Sequence, residues 1–263
     1  MIAPTLGGMA TASIHRWHDG ALLPLDHCDM TDVTIIAADS WLVHDGTVLA
    51  LDLHRARFLD AIGGVQDADA FWDAAIAAIP RQGDWFPRVE LQTRGAGRLF
   101  VFRLRSAPEL HRSVRLATLA GDPRTVPGVK GPDTDALLAA RAGVQLRGAD
   151  EGVILSDGSV VEGTSSALLW WRGDALCAPV PELERVESVT ARSVITLATA
   201  LGIDVHYESM TPDDLDGLEV WTLGALHGIR IVTAWVDGPA TAEEPGRLTT
   251  WRTRLERLRR PLP

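Results

Sequence analysis

The sequence predicts a mixed α/β protein of two domains, and three observations lead there. Asp-Gly dipeptides at 19–20, 45–46 and 157–158 each sit between short runs rich in apolar residues, the signature of tight β-hairpins. Other segments carry apolar residues at helical spacing and stop at glycine or proline. A chain of 263 residues with 46% apolar content can fill more than one core, and two domains are expected, 1–108 and 109–263.

Taken in order, residues 13–17 and 21–25 read as strands around Asp19-Gly20, and 34–43 as a further strand turned back by Asp45-Gly46 into 48–51. The helix that follows has a stripe of Leu53, Phe58, Leu59 and Ile62 and ends at Gly63. Residues 70–79 form a second helix stopped by Pro80, and 88–91 and 99–104 pair around Gly95-Ala96-Gly97. The segment 106–112 is the expected interdomain connection. Beyond it, a helix over 135–146 with Pro132 at its opening leads to strands 153–155 and 159–162, then 167–171. A loop from Val180 opens a helix with Val194, Leu197 and Leu201 on one face and Gly202 as its stop. Residues 203–209 form a strand, 211–215 a helical turn and 218–238 a strand pair. The basic run 252–260 has the spacing of the exposed side of a terminal helix.

Charge and cysteine usage exclude several functions. A formal net charge of −10 argues against nucleic-acid or anionic-membrane partners, which need a basic face. The two cysteines, Cys28 and Cys177, are too far apart in sequence to suggest a disulfide framework or a metal site. The first 17 residues lack a basic leader followed by an apolar run, and no stretch of 18 apolar residues occurs. A soluble, cytoplasmic protein without a metal is expected.

One residue stands apart by its rarity. Lys130 is the only lysine, and 24 of the 25 basic residues are arginine. Guanidinium stays protonated in proteins, whereas a desolvated lysine can lose its proton and attack a carbonyl carbon as a Schiff-base nucleophile. Lys130 is followed by Gly131-Pro132, the helix, Gly148-Ala149-Asp150-Glu151, and a strand that delivers Glu162 ahead of Gly163, Thr164, Ser165 and Ser166.

This order resembles the class IV fold family of pyridoxal-phosphate enzymes, which includes branched-chain and D-amino-acid aminotransferases and 4-amino-4-deoxychorismate lyase. The family has a reactive lysine followed by G-x-D-E and V-x-E-G-x-x-S-N stretches. Upstream, His54 and Arg57 match its H-x-x-R. Residues 180–202 are similar to its L-x-G-x-T-R segment, with Ser188 for the glycine and Ala191 for the arginine. The stretch 218–238 is similar to its last strand pair. The resemblance spans 34–238, and the ordered set of five motifs carries it.

The resemblance implies a branched-chain-aminotransferase-like fold, a smaller N-terminal α+β domain and a larger C-terminal domain with a barrel-like sheet, with pyridoxal 5'-phosphate between them. It implies that Lys130 is catalytic and joined to the cofactor, and that Glu162 faces the pyridine nitrogen. Arg57, Val189, Thr190, Gly224 and Ala225 would hold the phosphate. For the substrate it points to Ala38, where relatives carry an aromatic side chain, to Ser166 and to His111. The family's carboxylate-binding S-P-R-x-H loop has Glu109 in place of arginine here, which leaves Arg103 or Arg105 to serve. The implied activity is amino transfer from an amino acid or amine to a 2-oxo acid, in a homodimer. Lyase chemistry that expels pyruvate from aminodeoxychorismate is the alternative, and a non-catalytic binding relative is the second.

Overall fold

The computed structural model describes residues 12–25, 33–95 and 97–263. The Asp-Gly pairs are hairpin turns, with both residues at positive φ in each: 49° and 78° at Asp19-Gly20, 42° and 69° at Asp45-Gly46, and 49° and 83° at Asp157-Gly158. That backbone matches the right-handed twist of the flanking strands, and Asp and Gly tolerate it best. Of the 95–97 turn, Ala96 lies outside the described residues, as do Cys28 and the first 11 residues.

The first half contributes β1 (Ser13–His18), β2 (Ala21–Pro24), β3 (Val33–Ser40), β4 (Val43–His44), β5 (Thr47–Val48), β6 (Asp84–Trp85), β7 (Arg88–Arg94) and β8 (Gly97–Leu104). Five of them form a sheet of order β2-β1-β8-β7-β3. The expected strand 34–43 is thus interrupted after Ser40, and 48–51 is a two-residue strand followed by a helix. Helices α1 (Leu51–Ile62) and α2 (Ala68–Ala77) cover one face of this sheet. Phe58, Phe71, Trp72, Val89, Leu91, Phe100 and Phe102 are buried together there, with the Phe71 and Phe100 rings stacked at 4.7 Å. The buried stripe of α1 is His54, Phe58 and Ile62 rather than one led by Leu53. A polar side chain takes the inner position because a buried carboxylate waits for it there.

The second half supplies β9 (Ser113–Thr118), α3 (Thr134–Gln145), β10 (Glu151–Ser156), β11 (Ser159–Gly163), β12 (Ala167–Arg172) and β13 (Ala175–Pro179). After these come α4 (Val189–Ala200), β14 (Val205–Glu208), β15 (Glu219–Gly224), β16 (Gly228–Val236), α5 (Arg247–Glu256) and β17 (Arg260–Pro261). Eight strands order as β11-β10-β9-β16-β15-β12-β13-β14, and β11 also pairs with β12, so six of them close into a barrel. Closure removes the open edges a flat sheet would leave. The expected barrel-like sheet is therefore present in a mixed α/β protein. Trp170 and Trp221 are fully buried on opposite faces of this sheet, and Trp171, Trp221 and Trp251 cluster with ring centroids 5.3–5.9 Å apart. On α4 the buried face runs through Val189, Thr190, Ala191, Ser193, Val194 and Ala198, while the expected Leu201 is 46% exposed. Among the described residues no helix is long and apolar enough to cross a membrane.

The basic C-terminal run is not simply a solvated face. Arg252 donates to the carbonyl of His227 at 2.8 Å and to that of Ile229. Arg259 donates to the carbonyls of Leu42 (3.0 Å) and Thr47 (3.1 Å), and β17 pairs with β5 beside them in a four-stranded sheet of order β17-β5-β4-β6. Arg252 thus ties α5 to β16, and Arg259 fastens the chain's last segment to the strands ahead of α1. Replacing Arg259 with alanine should cost about 1.5–3 kcal/mol in urea unfolding, the scale of charge-assisted hydrogen bonds. A loss below about 0.5 kcal/mol, usual for a surface substitution, would return the residue to the solvated face.

Candidate active site

The site is built outward from β3, where neighbouring residues point to opposite faces of the sheet. Asp39 is fully buried on the helical side. Its carboxylate accepts from His54 Nδ1 at 2.8 Å and from Arg57 twice, Nε at 2.8 Å and a terminal nitrogen at 2.7 Å. Burial alone would raise the Asp39 carboxyl, but His54 and Arg57 together hold it well below the usual aspartate range. His54 is pushed the other way: burial and then Arg57 lower it, against the pull of Asp39.

Arg57 stands one helical turn beyond His54, so both reach the same carboxylate. Its other terminal nitrogen donates to the carbonyl of Glu187 at 2.7 Å, immediately before the N-cap of α4. The cap is Ser188, whose hydroxyl accepts from the Ala191 N–H at 3.2 Å. The N–H groups of Val189 and Thr190 lie in the first turn, where the helix itself offers them no acceptor. Two unpaired N–H groups, the positive end of a helix and a guanidinium make a cradle for a phosphate dianion.

Lys130 is presented from the loop between β9 and α3. Its carbonyl accepts the Ala38 N–H at 2.7 Å. Gly131 follows at φ 128°, and a Cβ there would lie 2.7 Å from the Ala38 nitrogen, so only glycine lets the loop cross β3 this closely. Asp133 closes the loop by accepting from Thr125 N–H (2.9 Å), Thr125 hydroxyl (2.7 Å) and Val126 N–H (2.9 Å). The Lys130 amine makes no hydrogen bond or ion pair among the described residues. Burial, then the charge of Arg57, lowers it from 10.5 to about 8, so a useful fraction is neutral near physiological pH.

Glu162 projects from β11, where β11 meets β12 to close the barrel. One of its oxygens accepts from Arg124 at 2.6 Å. Burial raises its carboxyl from 4.5 to about 7 even though Arg124 and Lys130 draw it down. Gly224 ends β15 against the turn that follows Glu162, with a Cβ there 3.6 Å from the Ser165 carbonyl oxygen, and Ala225 begins the next turn.

The sheet face that carries Ala38 also carries a basic cluster. Ala38 pairs with Glu90, and Arg88 pairs with Arg103 on the adjoining strands. Arg88 and Arg103 donate to one oxygen of buried Glu90, at 2.5 and 3.1 Å, and the Gln92 amide donates to the other. Arg105 adds a third guanidinium, and burial followed by repulsion from Arg88 and Arg103 lowers its proton affinity. His111 and Ser166 join a different, adjacent cluster around buried Glu151. Its carboxylate accepts from Ser166 (2.7 Å), the Ser165 N–H (2.8 Å) and Arg230 (2.5 Å). His111 donates its N–H to His227 at 3.2 Å, and burial together with Arg230 lowers His227 to about 4. Sequence reasoning did not assign Asp39, Arg124 or Arg230, whose partners His54, Glu162 and Glu151 lie 15, 38 and 79 positions away, nor Arg88 and Glu90, which are two apart but meet Arg103 and Ala38 only through strand pairing.

Residues 37–235 match the family model for class IV amino-transferases, so the chain belongs to that family. Its fold is shared with a fold IV-transaminase from Curtobacterium pusillum, 18% identical over 93% of this chain and 97% of that one, with a TM-score of 0.78. A hypothetical aminotransferase from Mycobacterium tuberculosis in its PLP-bound form is 18% identical over 94% and 98%, with a TM-score of 0.78. The branched-chain aminotransferase from Thermoproteus uzoniensis with norvaline is 21% identical over 95% and 100%, again at 0.78. No protein of curated function matches the sequence.

The elevated Glu162 carboxyl has a measurable consequence. A carboxyl whose pKa is raised on folding binds more protons folded than unfolded, so its contribution to stability falls as pH rises from about 4.5 to about 7. Glu162→Gln should remove that slope and gain on the order of 1–3 kcal/mol relative to wild type above neutral pH. Urea melts across this window that remain parallel for the two proteins would show that Glu162 is not a strained acid.

Proposed function

We propose that the protein is a pyridoxal 5'-phosphate-dependent aminotransferase that moves an amino group from an amino acid or amine to a 2-oxo acid. The observation that carries this is the sole lysine, its amine unpartnered and desolvated, within electrostatic reach of both Arg57 and Glu162. The donor set fits the cofactor. Arg57 with the Val189 and Thr190 N–H groups suits its phosphate, Gly224 and Ala225 offer further backbone contacts, and Glu162 offers a carboxylate to the ring nitrogen. Family membership and the PLP-bound relative favour the same cofactor.

Pyridoxal phosphate, when bound, supplies the electron sink that stabilises a carbanion beside the amino nitrogen. The protein's part is to hold and to move protons. Lys130, near 8, can take the proton from the substrate's α-carbon and, as its conjugate acid, give it up to the cofactor carbon across the shared nitrogen, the shift that amino transfer requires. Asp39 takes the Nε side of the guanidinium and fixes its orientation, so a phosphate would meet the remaining N–H of each terminal nitrogen already in place. The short Ala38 side chain leaves room on the pocket wall, and Arg105, with Arg88 and Arg103 beside it, favours a carboxylate substrate. His111 and Ser166 are further from that role, since Ser166 is already bonded to Glu151.

Lyase chemistry on a dicarboxylate such as aminodeoxychorismate is the second reading, because Arg88 and Arg103 share the Glu90 carboxylate on the Ala38 face and Arg105 stands beside them. We further propose two domains meeting between residues 106 and 112, a homodimer, and a cytoplasmic location.

Added pyridoxal phosphate should give a visible band that borohydride bleaches, leaving the pyridoxyl group on the single peptide that contains Lys130. Lys130→Ala should lose band and activity together. Arg57→Ala should weaken cofactor binding by about 10- to 100-fold, the loss of charge-assisted hydrogen bonds. An amino donor alone should bleach the band and a 2-oxo acid restore it. A protein that stays colourless sinks the cofactor reading. A band that no donor bleaches, with pyruvate released from aminodeoxychorismate, would favour the lyase.

A further inference from the structure

Glu162 does not stand alone in the site, and its partner is held with more care than a surface ion pair requires. The Arg124 side chain is 4% exposed. One terminal nitrogen donates to Glu162 at 2.6 Å and to the Glu184 carbonyl at 3.1 Å. The other side of the guanidinium is gripped by Asp122, which accepts from Nε at 2.9 and 3.2 Å and from the second terminal nitrogen at 2.7 Å. The Arg124 N–H also donates to Asp122, at 2.9 Å. The neighbouring residues Thr125 and Val126 are tied to Asp133. A single loop thus delivers Lys130 and, six residues earlier, the arginine that meets Glu162.

We propose that Arg124 is a positioning residue for Glu162, occupying one carboxylate oxygen, leaving the other for the cofactor's ring nitrogen, and keeping the group ionised so that the shared proton resides on the ring. This rests on the pyridoxal-phosphate reading above. The reasoning is one of competing proton affinities. A carboxylate buried at the barrel seam is a stronger base than usual, and the stronger it is, the more it takes the proton from the ring. A guanidinium on its far oxygen weakens that base, because a nearby positive charge favours the ionised form. Burial already lifts Glu162 to about 7 with Arg124 in place, so removing the arginine would carry it further up.

Other groups face Glu162 as well. Lys130 approaches from the same loop as Arg124 and Asp122, and the segment before α4 contributes Arg185 and the Val186 N–H. Arg185 gives its hydrogen bonds to the carbonyls of Pro179, Val180 and Leu183. Among the described residues, Arg124 is the one cation in direct hydrogen-bond contact with the Glu162 carboxylate. Asp122 offsets part of its charge and fixes its direction.

The test uses full-length protein freed of cofactor and labelled with carboxyl-13C glutamate, with Glu162→Gln to identify the signal. In wild type the Glu162 carboxyl should titrate near 7. Arg124→Met should raise its midpoint by more than about one pH unit, a tenfold gain in proton affinity. Arg124→Lys should restore part of the shift, and Asp122→Asn, which loosens the arginine without deleting it, should shift the midpoint upward by less. In the loaded protein Arg124→Met should lower kcat at least tenfold with little change in KM, and the pH profile should move with the carboxyl. A folded Arg124→Met whose Glu162 midpoint stays at the wild-type value overturns the proposal. If that variant does not fold, an unmoved midpoint in Asp122→Asn overturns it equally. A shifted midpoint in a protein that never binds pyridoxal phosphate sinks the proposed function and the ring role together, while leaving the Arg124–Glu162 coupling in place.

Discussion

The site depends on one buried carboxylate. Asp39 is enclosed completely, and a charge so placed is costly unless it is paired and hydrogen-bonded. His54 and Arg57 meet that requirement from successive turns of α1, which fixes the helix against the sheet. Arg57 then reaches on to the carbonyl in front of α4. The adjacent residue on the same strand, Ala38, faces the other way and holds the Lys130 carbonyl. Two consecutive positions of β3 therefore set the lysine loop and Arg57 in one frame.

Much of this was legible in the sequence. The Asp-Gly turns, α1 with its His54-x-x-Arg57, the helix after Lys130 and the strand that carries Glu162 all follow from local spacing, and local spacing survives folding. The strand partners that close the barrel do not, because β11 meets β12 through a turn whose pairing no propensity encodes. Reading Leu53 as inward was a failure of the same kind. Apolar periodicity sees only oiliness, whereas His54 points inward because Asp39 is there. Asp39 drew no assignment beside Ala38, because nothing in its local sequence marks it as an anchor. Arg124 and Glu162 are 38 positions apart, and Arg252 and Arg259 gave no hint that their acceptors were carbonyls more than 20 and more than 200 residues earlier.

The local electrostatics run against the overall charge. The chain is −10 in total, yet Lys130 feels Arg57 and Arg88 against Asp39 and Glu162, with Arg103 and Arg105 beside Arg88 and Arg124 bound to Glu162. Net charge governs solubility and non-specific encounters, while a cleft answers to the charges that line it. An anionic cofactor or substrate would be repelled by the surface at long range and attracted once inside. Because every guanidinium is permanently charged, the groups there that can change charge near neutral pH are Lys130, at about 8, and Glu162, at about 7.

The pairing of β17 with β5 orders events during synthesis. Thr47 and Arg259 are separated by 212 positions, and the small sheet that holds β4 and β5 ahead of α1 cannot be completed until the later residues have left the ribosome. At about 5–20 residues per second, that interval is roughly 10–40 s. Through it, β5 has β4 on one side and an open edge on the other, just ahead of the helix that must seat His54 and Arg57 on Asp39. The nascent protein thus carries an unfinished anchor for most of its translation, and slow-growing chains expose that edge to wrong partners for longest.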